Sequence, residues 1–409
     1  MEIIAKLAIL ADAAKYDASC ASSGAPKRSS RNKAGIGSTN GAGICHSYTP
    51  DGRCVSLLKI LLTNFCLYDC QYCVSRRSND VPRARFTPEE VVRLTLDFYQ
   101  RNYVSGLFLS SGIIRSADYT MEQLVEVARL LREEHQFRGY IHLKTIPDAD
   151  PQLIAAAGRY ADRLSVNIEL PSNSALQRLA PEKSIAGIQA AMGVIRDGRK
   201  AVQEQPARGR AKAPRFAPSG QSTQLIVGAE PSSDKVILTR AQHLYQNFGL
   251  RRVYYSAFTP IPKSPPLVPL QAPPLLREHR LYQADFLMRG YGFQAEELLH
   301  SSEEDLPLDI DPKLGWALRH REQFPVDINR ASQQMIARVP GIGLRSAQRI
   351  VALRQVRAVR LEDLRRLRCA LEKARPFIIT RDYRPRQDSA SVVLRQRLSL
   401  SAQQLSLWG

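Results

Sequence analysis

From residue 57 onward, short apolar runs alternate with segments of helical period. The runs at 57–63, 106–110, 140–144, 164–170, 224–228 and 252–258 have the length of strands. Between them, 88–101, 121–135, 151–160, 174–179 with 185–196, and 233–248 space their apolar residues as helices do. Thr87-Pro88-Glu89-Glu90 and Thr120-Met121-Glu122-Gln123 read as helix starts, because a threonine hydroxyl accepts from first-turn amides and acids suit the positive end of the dipole. Such an alternation predicts an α/β fold: a parallel sheet with crossover helices, a partial (β/α)6 barrel about two units short of closure.

Three stretches depart from the pattern. Residues 1–56 are rich in Ala, Ser and Gly and show little periodicity, which suggests an N-terminal extension. Residues 199–222 read as a long basic loop before the fifth strand, and the Pro-rich 260–274 ends the alternation. In the fourth run Ser165, Asn167 and Glu169 fall on one face. A parallel strand is ordinarily apolar on both faces, so this polar row suggests a ligand-facing side. The expected organisation is an extension (1–56), a barrel domain (57–300) whose last helix spans 275–289, an acidic connector (301–322), a small all-α domain (323–380) and a tail (381–409).

Composition adds little to the fold but constrains partners. Hydrophobic residues at 44% and charged ones at 24% describe a globular chain, and no apolar run is long enough to span a bilayer. Met1 to Leu10 lacks a basic leader, so a cytoplasmic location with no membrane partner is expected. The net charge of +19 favours polyanions. Residues 310–409 hold 20 Lys and Arg against 8 Asp and Glu, which places most of the surplus in the C-terminal module.

Seven cysteines is an odd number, and Cys66, Cys70 and Cys73 lie within eight residues, a poor disulfide framework. Their C-x3-C-x2-C spacing directly follows the first predicted strand. Three thiolates bind three irons of a cubane and leave the fourth open for substrate chemistry. The spacing alone also admits a zinc site completed by Cys45, His46 or Cys54, a Cys70–Cys73 redox pair, or structural thiols. Cys20, Cys45 and Cys54 could serve a second cluster or be plain thiols, and Cys369 reads as core.

Cys66-Leu67-Tyr68-Asp69-Cys70-Gln71-Tyr72-Cys73 resembles the signature of the radical SAM superfamily. The resemblance implies a [4Fe–4S] cluster on the three cysteines, S-adenosylmethionine (SAM) on the open iron, and an external one-electron reductant that yields a 5′-deoxyadenosyl radical. It places Tyr72 beside the adenine and assigns SAM contacts to Ser111 and Gly112, although Leu109-Ser110-Ser111-Gly112-Ile113 lacks the acid of the family's Gly-Gly-Glu turn. It also carries ribose or amino-group binding to Asn167 and Glu169, and Ile226-Val227-Gly228-Ala229-Glu230 is similar to the family's glycine motif near adenine.

The sequence from Val326, a first helix ending near Val339, then Pro340-Gly341-Ile342-Gly343 and a second helix over 344–354, resembles a helix-hairpin-helix. Gly341 and Gly343 would allow a tight turn whose amides meet a phosphate, and Arg345 and Arg349 add charge. Such contacts hold a nucleic-acid backbone without reading bases. Residues from Leu361 look like a degenerate second copy. With Ala14-Lys15-Tyr16-Asp17-Ala18-Ser19-Cys20 and Gly220-Gln221-Ser222-Thr223-Gln224, the chain over nearly its full length resembles a group of radical SAM proteins described as acting in DNA modification or repair, found beside a uracil-DNA-glycosylase-like partner. That implies DNA as partner, with tRNA modification, or DNA binding around a structural metal, as alternatives.

Overall fold

The computed structural model describes residues 1–14, 28–29, 38–39, 44–48, 54–204, 215–261, 265–299, 303–386 and 390–399. Cys20, residues 205–214 of the basic loop and the end of the tail fall outside them. The chain divides into a first unit, residues 1–231 and 244–272, and a second, residues 232–243 and 273–409.

In the first unit the six expected strands pair in chain order as one parallel sheet: β2 (Cys54–Leu61), β3 (Gly106–Ser110), β4 (Tyr140–Lys144), β5 (Arg163–Ser165), β6 (Gln221–Val227) and β7 (Arg252–Ala257). The extension contributes β1 (Ile44–Tyr48), antiparallel to β2, and helix α1 (Ile3–Ala14), whose Lys6 pairs with Glu90 at 2.7 Å. Cys45 is buried on β1 against Leu57 and Phe108, and Cys54 is exposed. The crossover helices are α2 (Pro88–Gln100), α3 (Ala117–Arg129), α4 (Pro151–Tyr160), α5 (Asn173–Leu179) with α6 (Ile185–Glu204), and α7 (Asp234–Phe248). The first residues of the expected basic loop are therefore the last turn of α6, and its Gln221 and Ser222 begin β6.

One sheet face is the helix-covered core. Leu58, Ile60, Leu107, Leu109, Ile141 and Leu143 are each at most 1% exposed, and burying such a side chain stabilises by about 1.5–3 kcal/mol. The other face is polar, with Lys59, Phe108, His142 and Arg163 in one register row and Lys144, Ser165 and Ser222 in the next.

Two boundaries differ from the pattern for identifiable reasons. Helix α2 starts as expected, Thr87 and Glu90 forming a reciprocal capping box. Helix α3 begins four residues before the predicted start, capped by Ser116, because the Thr120 hydroxyl is buried and bonded to Ile114 and Ser116 carbonyls. Strand β5 stops at Ser165 rather than continuing to 170. Beyond it, the Ile168 amide bonds the Thr223 hydroxyl, and Glu169 takes a left-handed conformation (φ 63°), which interrupts the ladder.

The second unit contains α8 (Leu275–Tyr291), α9 (Ala295–Leu298), α10 (Pro312–Arg319), α11 (Gln333–Arg338), α12 (Leu344–Val356), α13 (Leu361–Arg366), α14 (Leu371–Ala374) and α15 (Ser391–Leu398). Trp316, 1% exposed, anchors its core between Phe293 and Phe324, with Arg338 stacked at 5.1 Å. The two-residue strands β8 (Val326–Asp327) and β9 (Ile378–Ile379) pair in parallel. Val326 therefore opens a strand, and the first hairpin helix is confined to α11.

Candidate functional site

The three cysteines lie on residues 62–85, between β2 and α2, at the carboxyl ends of the strands. Four groups of contacts fix this loop. Gly112 donates to Thr63 O at 2.8 Å, and a Cβ there would stand 2.2 Å from Phe65 O, so only glycine fits the approach. Ile113 takes up the first cysteine, its amide 3.4 Å from Cys66 Sγ and its carbonyl accepting from Leu67. Gln71 donates to Leu179 O at 2.7 Å, and the Asp69 amide to Glu182 at 3.0 Å. Finally, Arg83 gathers the loop from within, donating to the carbonyls of Asn64, Ser75, Arg76 and Asn79. Five donors in a rigid fork suit guanidinium, and not ammonium, to this role.

Around the cysteines the electrostatics are set by burial and one ion pair. Burial pushes the Cys70 thiol up to about 12 and the Cys73 thiol up to about 11, so a bound cation is what would draw their protons. Glu169 binds Lys183 at 2.8 Å. Burial opposes the Lys183 charge, but Glu169, Tyr72 and Cys70 together outweigh it and hold the ammonium well above its usual range. Burial, then the same carboxylate, holds the Tyr72 phenol well above its own. The Tyr72 hydroxyl is buried and has no hydrogen-bond partner.

The expected site residues thus fall in three places. Cys66, Cys70, Cys73, Tyr72 and Glu169 are close enough to perturb one another's protonation. Ser111 and Gly112 form the turn before Ile113, the Ser111 hydroxyl donating to Gly112 O at 2.6 Å. Asn167 is buried and donates to Gln224 at 3.2 Å in the polar interior. Sequence reasoning missed Arg83, Lys183 and the Ile113 amide. Lys183 left no local signal, since its partner Glu169 lies fourteen residues away, and Arg83 sits in an arginine-rich segment that marks none of its members.

The fit to a [4Fe–4S] cluster and SAM rests on the donor set and on Tyr72. Among the described residues, no group of three His, Cys, Asp or Glu side chains is drawn together tightly enough to hold a metal as it stands. Three thiols on one loop, with a stranded phenolic hydroxyl and a buried Glu–Lys pair alongside, suit a larger cluster with a polar organic ligand.

The hairpin of the second unit is tied at its turn. Gly341 has φ 81°, accepts from Ala370 N at 2.9 Å, and leaves no room for a Cβ, which would stand 2.4 Å from Ala370 O. Gly343 is not a second left-handed position: it is extended (φ −85°), caps α12, and a Cβ there would meet only Tyr291 Oη at 3.9 Å. Buried Lys313 donates to Ile342 O at 2.6 Å, and burial lowers its ammonium to about 7. Arg345 and Arg349 are exposed on α12. The second copy is shortened to α13 and the four-residue α14, with Arg368 at φ 61° between them.

Comparison with known proteins agrees with this division. Residues 60–200 match the model of the Radical SAM superfamily, and residues 322–368 that of the helix-hairpin-helix motif. No curated protein matches the chain. Among solved structures, HydG, a maturase of the [FeFe]-hydrogenase, is 15% identical with a TM-score of 0.40, covering 56% of this chain and 48% of that one. A radical SAM methyltransferase from Sphaerobacter thermophilus is 15% identical (TM-score 0.41), covering 63% and 73%, and methylornithine synthase (PylB) 18% (0.40), covering 56% and 61%. The chain spans about half the length of HydG. By the match over residues 60–200 it carries a domain of the radical SAM superfamily, whose members are enzymes that use a [4Fe–4S] cluster and SAM.

Proposed function

We propose that the chain is a cytoplasmic radical SAM enzyme acting on nucleic acid, DNA in the first instance, for modification or repair. The observation that carries the catalytic half is the buried, unpartnered Tyr72 hydroxyl beside Cys66, Cys70, Cys73 and the Glu169–Lys183 pair. When bound and reduced by an external one-electron donor, the cluster and SAM would supply a 5′-deoxyadenosyl radical. The chain's own residues would do the rest. The three thiolates would hold the cluster and leave one position open. Tyr72 would pack beside the adenine and offer its hydroxyl, while Glu169 and Lys183 would present paired charges to the polar ends of SAM. Ser111 and Gly112 would supply backbone contacts at the neighbouring turn, Asn167 one from the interior. Arg83, bonded only to backbone, would keep the cysteines' loop in shape and is a positioning residue.

The nucleic-acid half is supported by the +19 charge, by the helix-hairpin-helix match and by Gly343, Arg345 and Arg349, which leave the start of α12 open to a phosphate oxygen. A uracil-DNA-glycosylase-like partner fits the same role.

The test is anaerobic reconstitution followed by SAM and reductant. About four irons per chain are expected, with 5′-deoxyadenosine formed and the cluster's electron paramagnetic resonance changed by SAM. Changing Cys66, Cys70 or Cys73 to Ala should abolish deoxyadenosine; its persistence in all three variants would end the radical SAM reading. Mass analysis of DNA and RNA oligonucleotides from the same reaction separates the two targets, and affinity that does not fall with salt would remove nucleic acid altogether.

A further inference from the structure

The turn of the helix-hairpin-helix is built around a buried ammonium. Lys313, on α10, is 9% exposed, and its Nζ donates at 2.6 Å to the carbonyl of Ile342, the residue between Gly341 and Gly343. The Tyr291 ring centre lies 4.7 Å from the same Nζ, and the Tyr291 hydroxyl meets the Leu344 amide at the start of α12. An ammonium has three donors, so one carbonyl and one ring face make a thin shell for a buried charge. Among the described residues no carboxylate pairs with it. Asp311, at the N-cap of its helix, favours its charge but is itself held by Lys373 of α14 at 2.7 Å and caps the Leu314 amide at 3.0 Å. The remaining titratable neighbours are the Cys369 thiol between α13 and α14 and the Tyr291 phenol of α8, both raised by burial, while Arg280 of α8 bears on Asp311.

Through a single peptide group this ammonium acts on the start of α12. The Ile342–Gly343 peptide is trans, so its N–H points away from the carbonyl that Lys313 holds, and Gly343 N has no backbone acceptor among the described residues. A cation donating to the carbonyl polarises the peptide and makes its N–H the stronger donor. Gly343 is the N-cap of α12, and its N–H stands beside the first amides of that helix, which lack intrahelical partners and suit a phosphate oxygen. Burial lowers the Lys313 ammonium to about 7, so near neutral pH the chain holds this amine both with and without its proton. A phosphate at the turn brings negative charge toward the buried amine and favours the charged form. Whatever protonation does for phosphate affinity, phosphate does for protonation by the same factor.

We infer that Lys313 is a positioning residue of the nucleic-acid hairpin, its charged form readying the Ile342–Gly343 peptide for a phosphate oxygen, and that nucleic acid binds with uptake of a proton by this amine. The inference rests on the hairpin being the nucleic-acid interface, and it specifies how that interface is regulated: binding tightens on the acid side of neutrality, through a group that itself touches no phosphate. It involves the second unit alone and needs neither cluster nor SAM.

The experiment is titration of the full chain with a duplex DNA oligonucleotide at constant ionic strength, from about pH 6 to about pH 9. Fluorescence anisotropy gives the affinity, and calorimetry in two buffers of different ionisation enthalpy gives the protons taken up. Uptake of at most about one proton per chain is expected, centred above the ordinary histidine value of about 6.5, with affinity falling about three- to tenfold as Lys313 loses its proton. Lys313→Met keeps a long side chain and removes the charge that burial opposes; it should show no uptake in that window and bind at every pH as the parent does at the alkaline end. Uptake by His279 or His320 would instead centre near about 6.5 and survive in Lys313→Met, so the pH of greatest uptake in the parent decides the matter even if the variant does not fold. Binding without proton uptake, uptake unchanged in the variant, or an affinity lost by the same factor at every pH would each overturn the inference while leaving the nucleic-acid reading in place. No binding at any pH would remove that reading, and the inference with it.

Discussion

Replacing Gly341 by alanine puts a methyl group 2.4 Å from Ala370 O on a backbone with φ 81°. The left-handed conformation costs a residue with a Cβ about 1–2 kcal/mol. The clash is with backbone, so the turn must shift, and the 2.9 Å bond from Ala370 N to Gly341 O goes with it, about 1 kcal/mol more. The expected loss is about 2–3 kcal/mol. For a unit the size of residues 232–243 and 273–409, that lowers its Tm by about 5–10 °C. Gly343→Ala is the matched control: its φ of −85° suits any residue and its Cβ would have nothing nearer than Tyr291 Oη at 3.9 Å, so stability should change by less than about 0.5 kcal/mol. Its methyl does stand where a phosphate must approach the first amides of α12, and oligonucleotide affinity should fall although the fold is intact. Differential scanning calorimetry and fluorescence anisotropy measure the two quantities. A Gly341→Ala protein that melts like the parent would refute the backbone argument, and a Gly343→Ala protein that binds like the parent would refute the phosphate contact at this turn.

Arg83→Gln should speed amide hydrogen exchange across 64–79, since hydrogen bonds from a charged donor are worth about 1.5–3 kcal/mol each, and Arg83→Lys should not restore protection; unchanged exchange in both would show that the loop holds its shape without the clamp. Lys313 is charged in both folded and unfolded chains below pH about 7, where its burial penalty is felt in full. Between about 7 and the ordinary lysine value of 10.5 the unfolded chain holds the proton more tightly, so stability should rise with pH across that window, and the rise should vanish in Lys313→Met. Identical pH profiles of Tm would rule out this linkage.

Local pattern made the barrel legible because each strand carries its own alternation and each crossover its own helical period. The polar row Ser165, Asn167, Glu169 was visible for the same reason, and two of its three members do face the interior with Gln224 and His142. What stayed hidden depends on contacts between distant segments. Strand β1 gains its place only by pairing Ile44–Tyr48 with β2, which nothing in its five residues announces. The early end of β5 comes from a hydroxyl on β6, Thr223, displacing a ladder bond, and the early start of α3 from Ser116 rather than Thr120 winning the cap. The three cysteines stand out by spacing alone, whereas Arg83 acquires its role by reaching carbonyls up to nineteen residues away.

The left-handed backbone of Glu169 sets conformational strain against the pairing of a buried charge. A glycine there would relieve about 1–3 kcal/mol of conformational strain. Yet glycine would leave the Lys183 ammonium buried with no carboxylate at 2.8 Å to answer it, and would take the negative charge away from Tyr72. Removing one partner of a buried ion pair costs about 3–5 kcal/mol, more than the strain a glycine would relieve, so a library screened for thermal resistance would keep Glu at a position where backbone conformation alone would choose Gly.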